Sequence, residues 1–388
     1  MKNITPSIYY AGVDDKTIDL FESQYVVPNG ISYNSYVIMD EKIAVMDTVD
    51  ERKTDEWFEN IEKILDGKTP DYLVISHLEP DHAGNIGRFA EKYPSAVLVG
   101  NAKTFAFLPQ FFENDFTGRT LTVAEGEELS LGEHTLIFAM APMVHWPEVM
   151  VTYEKSEKVL FSADGFGKFG ALDTEEDWDC EARRYYFNIV GKYGAQVQAL
   201  LKKAATLDIE IICPLHGPIL TENLGHYIGK YDTWSKYEPE NKGVTVAYAS
   251  IHGNTAKAAK KMAQILEEKG EKVSLFDLSR DDMAEAIEDA FRYDALVLAS
   301  ATYDGGLFPC MEDYLAHLKA KTYRNRTVAL IENGTWAPMA AKHMRGYLEA
   351  MKDINIIEKT VSIKSAVKES NIAEMEEMAN ELLKALGR

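Results

Sequence analysis

The chain has 388 residues, 46% of them hydrophobic and 27% charged, which is a folded globular composition too long for one ordinary core and suggests about two domains. A formal net charge of −21, from 41 basic and 62 acidic residues, would repel phosphate backbones and so excludes nucleic acid as an expected partner. Three isolated cysteines (Cys180, Cys213, Cys310) exclude a disulfide framework and a four-cysteine zinc or iron site within the chain.

No apolar run reaches the roughly 18 residues that span a bilayer, and the opening MKNITPSIYY lacks the plan of a signal peptide. The expectation is a cytoplasmic protein with no membrane partner. In chain order, strand-like runs fall at 35–39, 43–46, 72–76, 96–99, 135–139, 149–153, 159–162 and 209–213, separated by helical segments. Polar turns at 40–41 and 154–157 suit hairpins, so this half is expected to form a mixed sheet. The polar stretch YEPENKG at 237–243 breaks the pattern, and the domains are placed at 1–242 and 243–388. Beyond it, strand candidates at 244–250, 273–278, 295–300, 327–332 and 356–363 alternate with helices, which predicts a doubly wound parallel α/β sheet.

The octet HLEPDHAG, residues 77–84, follows the apolar run YLVI and places His77, Glu79, Asp81 and His82 in one loop. Burying four titratable groups without a counter-charge is costly, and a metal supplies that charge; a solvated polar turn is the competing reading. His145 in PMVHWP, Asp164 in LFSADG and His216 in IICPLHGP each follow another apolar run. A single strand-end histidine is more often structural than a ligand, but four such sites in one domain point to a shared ligand set.

The pattern HxExDH followed by His, Asp and His resembles the metallo-β-lactamase superfamily, whose αββα sandwich is therefore expected for the first domain. Its hydrolases resemble HxHxDH. Glu79 stands here where they carry a second imidazole, and a carboxylate hardens the site toward iron and away from zinc. The resemblance implies one iron held by His77, Glu79 and His145, a second by Asp81, His82 and His216, and Asp164 bridging both, with water replacing the His82 imidazole in some relatives. Tyr193, in KYG, is the candidate catalytic tyrosine reaching this pocket, against the alternative of a helix-end tyrosine capping the core.

In the second half the first strand runs into Ser250, Ile251, His252, Gly253, Asn254 and Thr255 ahead of a helix, the arrangement that offers backbone N–H groups to a phosphate. The third strand ends in Thr302, Tyr303, Asp304, Gly305 and Gly306, and the fourth in Asn333, Gly334, Thr335 and Trp336. At the carboxyl edge of an open sheet these loops suit a mononucleotide with a flat ring. This half resembles flavodoxin, which implies FMN, and residues 243–388 contain no GxGxxG to suggest a dinucleotide.

The two halves in this order resemble the flavodiiron proteins, also called A-type flavoproteins or rubredoxin:oxygen oxidoreductases, over nearly the whole chain. That resemblance implies an oxidoreductase with FMN and two iron ions, reducing O2 to water, NO to N2O, or both. It also implies an external electron donor such as rubredoxin or a reduced deazaflavin, and a head-to-tail homodimer or a tetramer built from it. The alternative is a zinc hydrolase, a thioesterase or lactonase, fused to a flavodoxin-like module; a metal-free electron carrier would leave seven ligand types unexplained.

Overall fold

Short runs rich in valine, isoleucine and leucine form two facing sheets in the first half of the chain. The computed structural model describes residues 2–388 and divides into two compact units, Met1–Tyr186 with Ala195–Asp232, and Phe187–Gly194 with Thr233–Arg388. This division falls at Asp232/Thr233, earlier than the composition break at 242/243, because helix Leu224–Ser235 straddles it and strand Asn241–Ala249 already belongs to the second sheet.

In the first unit one sheet has seven strands, in the order Lys2–Asn3, Ile8–Tyr10, Tyr36–Ile38, Ala44–Met46, Tyr72–Val74, Val97–Gly100 and Thr120–Thr122. The other has five: Glu128–Ser130, Thr135–Met140, Met150–Glu154, Val159–Phe161 and Ile211–Cys213. Alternating residues of each strand point inward, so Ile38, Met46, Val74 and Val99 of one sheet share a core with Phe138, Met150, Phe161 and Cys213 of the other. Helices cover the outer faces; Thr54–Leu65 buries Trp57, Ile61, Ile64 and Leu65, a stripe at helical spacing. This is the expected β-lactamase-like sandwich.

Two parallel pairs shape the rim of this sandwich. Ala44–Met46 lies beside Tyr72–Val74, and Val159–Phe161 beside Ile211–Cys213. Their carboxyl ends release the chain at Asp47, His77, Asp164 and His216, and a hydrogen bond from Met150 N–H to Ser76 O (3.1 Å) ties the two sheets at that rim.

In the second unit the parallel sheet runs Val273–Asp277, Asn241–Ala249, Tyr293–Tyr303, Arg326–Asn333 and Ile354–Ile363, the 2-1-3-4-5 order of flavodoxin-like folds. The short strand Gly306–Leu307 folds back on Tyr293–Tyr303. Helices Asn254–Glu268 and Glu369–Ala385 cover one face through Ala258, Met262, Leu266, Met375, Met378 and Leu382. Crossing from the first strand to the second on one edge and to the third on the other makes the switch point at which the three loops meet.

Candidate metal centre and flavin site

The stretch 77–84 is not a simple loop. Pro80–Ala83 forms one helical turn with Pro80 at its first position, where a missing N–H and a fixed φ cost nothing. Thr48 clamps that turn, its N–H (2.9 Å) and Oγ1 (2.7 Å) both donating to His82 O. Around it, Asp47, Met143, Ala163 and Phe166 adopt positive φ, from 50° to 67°, a backbone strain that folded proteins tolerate chiefly near functional groups.

All seven ligand candidates of the first half converge. His77, Glu79, His145 and Asp164 form one group of mutually close ligand atoms, and Asp81, His82 and His216 another. Asp164 faces both: its Oδ2 lies 3.4 Å from His77 Nε2 and from His145 Nε2, its Oδ1 3.3 Å from His82 Nε2 and 3.9 Å from His216 Nε2. Glu79 Oε2 stands 3.2 Å from His77 Nε2 and 3.0 Å from His145 Nε2, and Asp81 Oδ2 3.2 Å from His216 Nε2. The group is almost wholly shielded, with Glu79 the most accessible member at 17% of its side chain.

The orientation of two of the imidazoles is set from behind. His77 Nδ1 donates to Glu148 Oε1 at 2.8 Å, and Glu148 is fully buried. His216 Nδ1 donates to Ser32 O at 2.7 Å. Both bonds place the ring proton on Nδ1 and turn an Nε2 lone pair inward, the tautomer a metal requires. His82 Nε2 lies 3.0 Å from His216 Nε2, and His82 Nδ1 is buried with no hydrogen-bond partner, so no neighbour behind the His82 ring fixes its tautomer.

Charge makes the same demand. Both carboxylate oxygens of Asp81 and of Asp164 are buried without a hydrogen bond, a costly state unless a cation sits among them. Burial opposes the charged form of His77, yet Asp164, Glu148 and Glu79 raise its pKa well above the usual imidazole value. Burial likewise opposes charge on His145, while Asp164 and Glu79 lift it to about 9. Desolvation would raise the carboxyl of Asp164, but His145, His77 and His82 hold it well below the usual range. The pocket therefore stabilises positive charge at its centre. Four imidazoles and three carboxylates, with Asp164 facing both groups, fit two hard divalent ions sharing one bridging carboxylate.

Sequence reasoning did not find Glu148, Ser32 or Tyr185. Tyr185 is buried with its ring 5.5 Å from that of His216, and its hydroxyl pKa is raised by burial and then by Asp164, Asp81 and Glu79. Tyr193 belongs to the segment Phe187–Gly194 of the second unit, where Lys192 Nζ lies 5.8 Å over its ring.

In the second unit the three loops line one cavity of about 550 Å³. Ser250, Ile251, His252, Asn254 and Thr255 contribute from the first loop, Thr302 to Gly305 from the second, and Asn333 to Trp336 from the third. Gly253 and Gly306 shape the loops without lining the cavity. Gly253 has φ +85° at the start of helix Asn254–Glu268, and a Cβ there would meet nothing within 4 Å, so backbone conformation rather than crowding calls for glycine. No side chain caps that helix, leaving its first N–H groups for an anion. Trp336 is 89% exposed and Tyr303 44%, an unusual display of aromatic surface that suits a flat ring. Ser365 and Met339 also line the cavity, and Ser365 Oγ meets Thr335 Oγ1 at 2.7 Å. Thr302 is turned to structure: its Oγ1 accepts from Met339 N–H (2.9 Å) and Ala340 N–H (3.2 Å). The residues fit a mononucleotide with a terminal phosphate.

Comparison with known proteins gives a consistent picture. The family described as ODP family beta lactamase matches residues 31–217, and the flavodoxin family residues 246–364. The chain is 30% identical over 359 residues to a nitric oxide reductase of Moorella thermoacetica, covering 90% of each protein. It is 29% identical over 388 residues to an uncharacterized protein of Methanocaldococcus jannaschii, covering 98% of this chain and 97% of the other. The solved structure of rubredoxin oxygen:oxidoreductase from Desulfovibrio gigas superimposes with a TM-score of 0.93 at 27% identity, over 100% of this chain and 98% of that one.

Proposed function

The chain belongs to the flavodiiron proteins, and on that premise we propose that it reduces O2 to water, NO to N2O, or both, with FMN and a non-haem diiron pair as its cofactors. The observation that carries this reading is Asp164, one carboxylate whose two oxygens address two separate groups of ligand candidates. His77, Glu79 and His145 would hold one iron and Asp81, His82 and His216 the other, with Asp164 shared.

When bound, the flavin and the iron pair supply the stored electrons and the open coordination positions that reduction of a diatomic gas requires. The chain's own residues prepare the place. Glu148 and Ser32 O keep the protons of His77 and His216 on Nδ1, so both Nε2 atoms face the centre. Glu79, Asp81 and Asp164 bring three negative charges to offset part of a diferrous pair. Their buried setting excludes competing water, and Tyr185, with its raised pKa, keeps its proton beside His216. In the second unit the uncapped helix N-terminus would receive the phosphate, and Tyr303 and Trp336 the isoalloxazine ring.

The zinc-hydrolase alternative loses support at Glu79, since a carboxylate stands between His77 and His145 where the HxHxDH hydrolases carry an imidazole, which hardens the site and adds negative charge. Rubredoxin or a reduced deazaflavin as donor, a cytoplasmic location and a head-to-tail homodimer or its tetramer belong to the same reading. They are supported by the family; among the described residues no helix is long and apolar enough to cross a membrane. Tyr193 remains a candidate for tuning turnover: Tyr193→Phe should slow gas reduction with iron content unchanged, and unaltered rates for both gases would remove it. The function is tested by metal and flavin analysis of the purified protein together with gas consumption under each donor. Iron with bound FMN and donor-dependent loss of O2 or NO is the expected result; zinc in place of iron, or a loaded protein that consumes neither gas, would refute it.

A further inference from the structure

Behind the metal cluster, on the outer face of the five-stranded sheet, lies a feature that holding two ions does not require. Helix Gly194–Ala204 roofs strands Met150–Glu154 and Val159–Phe161 and leaves an internal cavity of about 30 Å³. A single water needs roughly 10–15 Å³ on that measure, so the space suits a molecule of two heavy atoms. Its walls are chiefly Val144, Val151, Leu160, Phe166, Val197 and Leu201.

The polar side chains that reach this wall are all engaged elsewhere. Ser162 Oγ donates to Gly165 O (2.7 Å), and Tyr231 Oη accepts from Phe166 N–H (2.7 Å). Lys203 Nζ donates to Glu125 Oε2 and to Met140 O, both at 2.8 Å. With these groups engaged and the remaining walls aliphatic and aromatic, a water entering the cavity would find fewer than the two to four partners it needs, which favours a dry space.

Its lining is shared on one side with an open groove and on the other with the chain neighbours of the cluster. Outward, Val151, Leu160 and Lys203 also line an open groove of about 450 Å³, with the Lys203–Glu125 pair at its edge. Inward, the wall is made by the chain neighbours of two ligand candidates: Val144 precedes His145, and Gly165 and Phe166 follow Asp164.

We propose that the groove and the dry cavity form the route by which an uncharged diatomic gas reaches the metal cluster. This rests on the gas-reductase reading and adds to it the path and the residues that control access. O2 and NO lose little on leaving water for an apolar space, whereas water, protons and ions lose a great deal. Such a passage admits the substrate while keeping bulk solvent from the buried carboxylates.

The test pairs a structural with a kinetic readout on the holoprotein. Crystals of the wild type pressurised with xenon should show the atom seated between Val197 and Leu160. Val197→Phe should abolish that density and lower kcat/KM for O2 or NO about tenfold, leaving kcat at saturating gas and the iron content unchanged, as expected when entry and not chemistry is impeded. Leu200→Ala, which widens the same space, should raise xenon occupancy with kcat unchanged, and decides the matter if the phenylalanine variant does not fold. No xenon in the wild type, no gain in Leu200→Ala, or an unchanged kcat/KM in a Val197→Phe protein that excludes xenon would each overturn the route. A wild type that binds xenon but consumes neither gas would instead strike down the gas-reductase reading, and the route with it.

Discussion

Among individual residues, Glu79 and Glu148 show what a single sequence reveals and what it hides. Glu79 was legible because it lies two positions from His77 in a recognisable spacing. Glu148 was not: it is one of 62 acidic residues, and only folding brings it to His77, 71 positions away. Glu148→Gln should leave the fold intact but weaken iron retention, on the scale of the 10–100-fold typical for partners behind a ligand, as measured by metal content after graded chelator challenge. Glu79→His adds a third imidazole beside His77 and His145 and removes a charge; elemental analysis should show zinc displacing iron, and a full iron complement would contradict the argument from ligand hardness. Away from the site, buried His134 donates from Nδ1 to Asp40 Oδ2 at 2.8 Å. Burial lowers the His134 pKa, but Asp40 and the acidic neighbours Glu154 and Glu157 raise it overall. Burial raises that of Asp40, yet hydrogen bonds from His134 and from backbone N–H groups hold it at about 2. His134 therefore stabilises the fold fully below its unfolded pKa near 6.5 and ceases to as pH rises through its higher folded value; Asp40 contributes above its unfolded pKa near 3.9 and stops as pH falls through about 2. Denaturant unfolding should show His134→Asn costing about 1–3 kcal/mol near pH 6 and clearly less near pH 9. An equal cost at both values would mean the pair carries no charge.

Whole elements were legible in proportion to their length and regularity. The five parallel strands of the second unit alternate with helices, and their positions could be read from hydrophobic runs, whereas their 2-1-3-4-5 order came only with the structure. The same reading missed Ile8–Tyr10, Val13–Asp15, Leu20–Phe21, Tyr25–Val26, Ile31–Tyr33 and Thr120–Thr122. Runs of two or three residues are too short to show a period of two, and tertiary pairing rather than local preference makes them strands. The helical turn Pro80–Ala83 was hidden for the same reason, since one turn shows no amphipathic repeat. The loop before helix Asn254–Glu268 depends on one backbone angle. Gly253→Val forces a β-branched residue to φ +85°, which should cost roughly 1–2 kcal/mol or shift the loop, and should weaken FMN binding more than it lowers the melting temperature of the apoprotein. Equal FMN affinity in a titration followed by flavin fluorescence would show that this loop does not hold the phosphate.

For the molecule as a whole, one strongly acidic chain carries a β-lactamase-like unit bearing seven converging ligand candidates and a flavodoxin-like unit with an open aromatic cavity, the two halves of an electron-transferring enzyme. Its acidic composition led to the expectation of no nucleic-acid partner, and among the described residues no helix is long and apolar enough to cross a membrane. The reaction itself was legible only through resemblance, because O2 and NO would meet the same residues. Complete reduction of O2 takes four electrons, which a two-electron flavin and a two-electron iron pair together supply. The most direct measurement is the number of reducing equivalents consumed per O2 by protein of known iron and FMN content, with peroxide assayed in parallel and N2O followed when NO replaces O2. The expected result is about two irons and one FMN per chain, with about four equivalents per O2 and no peroxide released, or N2O formed from NO; a loaded protein that reduces neither gas, or that releases peroxide at two equivalents per O2 as a free flavin would, contradicts it.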